Sequence, residues 1–395
     1  MTHACLGLAL AEVQRTQEAI EEVRRGLRIN PRLKDRAAYE WRLGKWRTDL
    51  GRWEDAIEPL QDSIKLQPNE AGVHHLMGIV YAQVERHDEA VKEFQESIRL
   101  SPGGPDPDNR YEMLGVSLAR LGRFNEAARA YERAIQLRPN DAVTHFNLGV
   151  AYGELGRHDD EISEYKKAIE LDPNDFQAFI NLAIAYSQAG QHEASIDTWE
   201  RAIKLEPDSL PAYTSLSLQY ERLGRFQEAL GAAEEVARID PNSPISQGNV
   251  ASFLNRLGDF NGALEKARAA IRLDADYPDG HCIAGCALQG LEEHKAAIPE
   301  YLTTLKLKPD CLEALVNLGG AYLETEKIQE AFGPLARAIE LKPDCVEAHD
   351  LLGATYFKNG GREDAIEQLR IVKSLRSEYE GELAKLLASE NANRK

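Results

Sequence analysis

Cysteine is scarce in this sequence, five among 395 residues, and the five do not form a dense framework. That excludes a small disulfide scaffold and fits a reducing, cytoplasmic compartment. Aromatic residues are few, at 7%, and no apolar run approaches the length of a membrane-spanning helix. The first residues, MTHACLGLALAEV, could pass for a signal-peptide core, but no basic segment precedes the run and Glu12 interrupts it. The stretch also lies in register with later ones and is read as a helix. Basic charge is lacking too: the formal net charge is −18. Binding to a nucleic-acid backbone or an anionic membrane surface, both of which need clustered Lys and Arg, is therefore not expected. Also missing are GxGxxG after a strand, GxxxxGK[ST], HExxH and GxSxG. Acidic residues fall mostly on outer faces and in turns, so no acid–base pair stands out. No catalytic residue, cofactor or metal ion is expected.

What the sequence has instead is a period. Residues 142–175 read AVTHFNLGVAYGELGRHDDEISEYKKAIELDPND, and their ending recurs 34 residues later as AIKLEPDS and 34 earlier as AIQLRPND. A fixed period outranks every other signal. With positions numbered 1–34, the closing proline at position 32 is Pro31, Pro68, Pro102, Pro139, Pro173, Pro207, Pro241, Pro309 and Pro343, and Ala275 stands in once. Short insertions fall near residues 34–36 and 105–107, and a single extra residue near 360–361. Position 8 is always small, from Gly7 and Gly44 to Gly319 and Gly353. Position 20 is usually Ala, and position 24 is often aromatic. Small residues at both places let two helix backbones approach closely. A Gly at position 15 ends the first helix, and the Pro–Asn or Pro–Asp after the second starts the next unit. The expected architecture is all-α, an α-solenoid of about eleven helix-turn-helix repeats over residues 1–377. The repeats lie near 1–33, 37–70, 71–104, 108–141, 142–175, 176–209, 210–243, 244–277, 278–311, 312–345 and 346–377. Residues 378–395 read as a closing helix, with Tyr379, Leu383 and Leu386 on one face, and a frayed polar tail.

The Leu–Gly, Tyr, Ala, aromatic and Pro marks at this spacing resemble the tetratricopeptide repeat family. The resemblance implies a right-handed superhelix whose first helices line a concave groove through positions 2, 5, 6, 9, 12 and 13. It implies a non-catalytic scaffold that binds an extended protein or peptide segment. Position 6 carries Asn147, Asn181, Asn249 and later Asn317. Asn is a poor helix former, and its amide both donates and accepts, which suits an extended backbone. These residues resemble the asparagine ladder in the repeat arm of O-linked N-acetylglucosamine transferases, although Arg42, Leu76, Met113, Ile283 and Leu351 break the row. The alternative is that they bond between adjacent repeats. Around them Val143, Phe146, Val150, Ile180, Ile184 and Leu218 would form an apolar floor. Trp41, Arg42 and Lys45 mark a basic start, and Asp279, Glu313, Glu324, Glu347 and Asp350 an acidic finish. Two other readings stand beside the scaffold: a recruiting arm of a larger enzyme such as a glycosyltransferase, and self-association through an uncapped first repeat.

The residues that could carry chemistry read mostly as packing. Nine of ten histidines fall at positions 4 and 17, where sister repeats carry aromatics, and His75 alone is off the template. Cys282 and Cys286 share a helix face beside His281, and Cys311 and Cys345 close repeats at position 34. The four-ligand knuckle of a zinc site is not evident, so packing or groove lining is expected over a redox or metal site. Glu161, which replaces the small residue at position 20, is the sharpest departure. It predicts a locally splayed helix pair in which Glu161 reaches water or a Lys or Arg, or a small register shift that solvates it.

Overall fold

The computed structural model describes residues 2–102, 107–376, 378 and 381–393. Within them the secondary structure is twenty-three α-helices, from Thr2–Glu12 to Glu382–Asn393, with no strand among the described residues. The chain divides into two compact units, residues 1–205 and 206–395. Each is an α-solenoid of helix pairs such as Ala142–Glu154 with His158–Leu171 in the first and Leu312–Glu324 with Ile328–Leu341 in the second.

Each first helix ends because the chain turns left-handed at position 15. Gly51, Gly122, Gly156, Gly190, Gly224, Gly258 and Gly360 have φ between +70° and +87° there. Gln14, Glu85, Glu292 and Glu326 adopt the same conformation, with φ of +59° to +63°, despite a Cβ. The turn lets the next amide reach back: Arg157 N–H donates to the Tyr152 carbonyl at 2.9 Å and Lys327 N–H to Tyr322 at 2.8 Å. That bond satisfies a carbonyl the helix end would otherwise leave open. Position 34 then caps the following helix, as where Asp175 accepts from Ala178 N–H and Ser243 from Ser246 N–H.

The two helices of a pair meet where position 8 faces position 24. A Cβ placed on Gly78 would lie 2.7 Å from the Phe94 ring, on Gly115 2.6 Å from Tyr131, and on Gly285 2.6 Å from Tyr301. Phe94, Tyr131 and Tyr301 are buried. A mid-helix Gly costs about 1 kcal/mol relative to Ala. Fully burying a large apolar side chain returns roughly 1.5–3 kcal/mol, so the exchange favours the pair. Hydroxyls fasten the other end: Ser63 Oγ donates to the Ala37 carbonyl at 2.9 Å and Ser97 Oγ to Ala71 at 2.7 Å.

In the last repeat the helix Glu382–Asn393 supplies the bulk, with Leu383 fully buried over Gly353. Its first turn is held by Asp350, whose carboxylate accepts from Glu382 N–H at 2.7 Å and Leu383 N–H at 3.2 Å. Asp350 therefore belongs to the core and not to the acidic inner surface expected of it, because two amides of the closing helix need an acceptor. The helix begins at Glu382 and runs through Asn393, where a frayed polar end was expected. Tyr379 lies outside the described residues.

Glu326 is exposed and carries its left-handed backbone with a Cβ. Because such a conformation costs a side-chain-bearing residue roughly 1–2 kcal/mol, Glu326→Gly is expected to stabilise the second unit by about 1 kcal/mol in urea unfolding.

Candidate functional site

In the first unit, the helix Ala142–Glu154 places Val143, Phe146, Asn147 and Val150 at i, i+3, i+4 and i+7, one face of the helix. Val143 is 57% exposed. Phe146 and Val150 are half-buried, and the Phe146 ring lies 5.6 Å from Tyr165. Asn147 is half-buried, and its amide has no side-chain partner among the described residues. One repeat on, Ile184 is exposed and Ile180 half-buried. Asn181 is different. It accepts from Gln177 Nε2 at 3.0 Å and donates to the Tyr165 hydroxyl at 3.4 Å, a bond to the preceding repeat. Near the start of the unit Trp41 packs partly on the core, Arg42 is half-buried, and Lys45 pairs with Asp49 at 2.8 Å.

In the second unit Leu218 and Asn249 are exposed. Asn249 has no side-chain partner among the described residues, whereas Asn317 donates to Cys286 Sγ at 3.3 Å. Sequence reasoning missed two neighbours here. Asn255 Nδ2 donates to the Ile283 carbonyl at 3.0 Å, tying two repeats together. Cys311 lies beside Cys282, and the register carried that signal, since position 34 caps the helix that packs next to position 5.

The position-4 histidines are joints between repeats. His74 Nδ1 faces Glu93 Oε2 at 2.6 Å and Nε2 faces the Pro68 carbonyl at 2.9 Å. His145 repeats this with Glu164 and Pro139, and His281 with Glu300 and Ala275. His349 does so with the Gln368 amide and Pro343. The Glu93 hydrogen bond holds His74 above its ordinary pKa, against the opposing effect of burial.

Glu161 is buried in an undisturbed helix contact, so neither the splayed pair nor the solvating register shift is present. Its partner is His158, with Nδ1 to Oε2 at 3.0 Å, and not a Lys or Arg. Room comes from Gly153, where an added Cβ would lie 2.7 Å from Glu161 Oε1. Placement in the first turn of His158–Leu171 also sets the carboxylate against the positive end of the helix.

The repeats also match known families. Models described as tetratricopeptide repeat match residues 112–176 and 284–345, residues 69–140, and residues 164–197. These stretches of the chain are tetratricopeptide repeats. Protein-interaction scaffolding is the coarse role that goes with such repeats. Among solved structures, this chain is similar to YrrB, described as a TPR protein with an unusual peptide-binding site. Identity there is 23%, over 50% of this chain and 98% of that one, with a TM-score of 0.44. It is also similar to MamA from Desulfovibrio magneticus RS-1, at 22% identity over 44% and 96% with a TM-score of 0.41. Yeast Tom70 matches at 15% identity over 100% and 94%, again with a TM-score of 0.41. No curated protein matches the chain. No helix among the described residues is long and apolar enough to cross a membrane.

A raised folded pKa means that the His74 joint stabilises fully below the unfolded value of about 6.5 and is lost as pH rises through the folded value. The thermal midpoint is expected to drop between about pH 6 and pH 8. His74→Phe, which adopts the residue type found at Phe179, should shrink that drop in calorimetry at the two pH values.

Proposed function

We propose that this chain is a non-catalytic scaffold that binds an extended segment of a protein partner along the inner faces of its first helices. The observation that carries the reading is Asn147: a half-buried amide without a side-chain partner among the described residues, set between Val143 and Val150 on one helix face. An amide that can donate and accept satisfies a peptide backbone whatever its sequence, and neighbouring apolar side chains take one or two greasy residues. Asn249 with Leu218 in the second unit, and Ile180 with Ile184 in the first, support the same kind of contact. The likeness of the asparagines to the ladder of O-linked N-acetylglucosamine transferase arms belongs to this reading. Five free cysteines fit a partner met in a reducing compartment.

Selection of a displayed library of extended peptides against the intact chain tests it. Asn147→Ala should weaken the selected peptides about fivefold, the worth of one hydrogen bond of ~1 kcal/mol, and Val143→Asp should weaken them more. Helical circular dichroism should be unchanged in both. Peptides that bind both variants as tightly as the wild type would sink the inner-face reading.

Self-association through the first repeat is favoured separately by Leu6 and Val13, which are 49% and 64% exposed. Light scattering should then give a mass that grows with concentration and returns to the monomer in Leu6→Glu. A constant monomer mass excludes it.

A further inference from the structure

Three cysteines and a glutamate that lie apart in the sequence converge in the second unit. The helix Pro278–Gly290 presents Cys282 and Cys286 one turn apart, and Leu312–Glu324 brings Glu313 from its first turn with Cys311 as its N-cap. Cys282 Sγ, Cys286 Sγ and a Glu313 carboxylate oxygen all lie within 4.8 Å of one another. Cys286 Sγ is 3.6 Å from Glu313 Oε1, and Cys311 sits at the N-cap of that helix, beside Cys282. In a tetrahedral zinc site with Zn–S bonds of about 2.3 Å, neighbouring sulfurs stand roughly 3.8 Å apart, so small rotamer adjustments bring Cys282, Cys286 and Glu313 around one ion, and Cys311, outside that 4.8 Å group, swings in from beside Cys282.

We propose that Cys282, Cys286, Cys311 and Glu313 form a site for one thiophilic divalent cation, of which Zn2+ is the probe. Three sulfur donors select a soft or borderline ion over Mg2+ or Ca2+. Plain apolar packing accounts for buried thiols but not for a carboxylate leaning on one of them. The thiols release their protons as the ion binds. Asn317 Nδ2, donating to Cys286 Sγ at 3.3 Å, fixes that sulfur from outside the donor set. Cys282 is buried, Cys286 and Cys311 are half-buried and Glu313 is exposed, which leaves the ion a route in. The chain holds its own control. One repeat later Cys345 and Glu347 occupy the positions of Cys311 and Glu313, but Val316 and Gly320 stand where Cys282 and Cys286 would be.

Titration of the reduced, metal-free full chain with Co2+ tests the site. One equivalent should give thiolate-to-cobalt charge transfer together with the strong visible bands of a tetrahedral ion, and Zn2+ should abolish both while raising the melting temperature. Cys286→Ser and Cys311→Ser, with unchanged helical circular dichroism, should each weaken Co2+ binding at least tenfold, and Cys345→Ser should leave it unaltered. The proposal is overturned if the wild type gives no charge-transfer band. It is equally overturned if the band persists in Cys286→Ser and Cys311→Ser at wild-type affinity, or is lost in Cys345→Ser.

Discussion

The fold rests on a missing side chain. At position 8 the first helix offers bare backbone, and the second helix fills the gap with a bulky residue at position 24. Gly44 takes Leu60, Gly78 takes Phe94, Gly149 takes Tyr165 and Gly319 takes Leu335. Where position 8 gains atoms, position 24 gives them up: Ser217 stands opposite Ala233, and Ala251 opposite Ala267. Close packing leaves little freedom to do otherwise, since one extra methylene in a filled core is felt. Ala183 with Trp199 is the exception, and Trp199 Nε1 is buried without a partner among the described residues. A lost hydrogen bond of that kind costs about 1–3 kcal/mol, which large aromatic burial can offset.

With the helix contact fixed, polar groups settle how tightly each pair closes. Ser195 at position 20 donates to the Ala183 carbonyl at position 8 at 2.7 Å, and Ser217 at position 8 donates to the Ala229 carbonyl at position 20 at 3.1 Å. The same crossing is thus bridged from either side, depending on which helix carries the hydroxyl. Glu161 is a third solution at position 20. Its carboxylate is too large for the crossing, so it turns toward Gly153 and pairs with the His158 ring nitrogen at 3.0 Å.

The sequence made the repeat architecture legible because its causes are local and periodic: a left-handed turn, a proline stop, a small residue under a large one. What it hid were contacts between side chains on different repeats. Asp350 reads as an inner acid until the closing helix is seen to need an acceptor, and Cys311 reads as a repeat ending until it is seen as the cap beside Cys282. Periodicity fixes the face a residue occupies, but not which neighbour's rotamer reaches it. Hence Glu161 was recognisable as a departure while both its partner and its burial were misjudged.

The same distinction governs the inner asparagines. A position-6 amide is available to a ligand only if the repeat before it has nothing to bind. Tyr165 offers a hydroxyl to Asn181, and Cys286 offers a sulfur to Asn317, so those two amides are committed within the fold. Asn147 and Asn249 have no such neighbour among the described residues and stay open. Each unit therefore holds one open and one committed amide in a row that looks uniform in sequence. In the proposed role, a segment bound to the first unit would be read unevenly, with backbone contacts at Asn147 and side-chain contacts where Val143 or Ile184 lies exposed. Uneven reading is what lets a repetitive surface tell one register of a bound chain from the next, because a perfectly regular row would score every register alike.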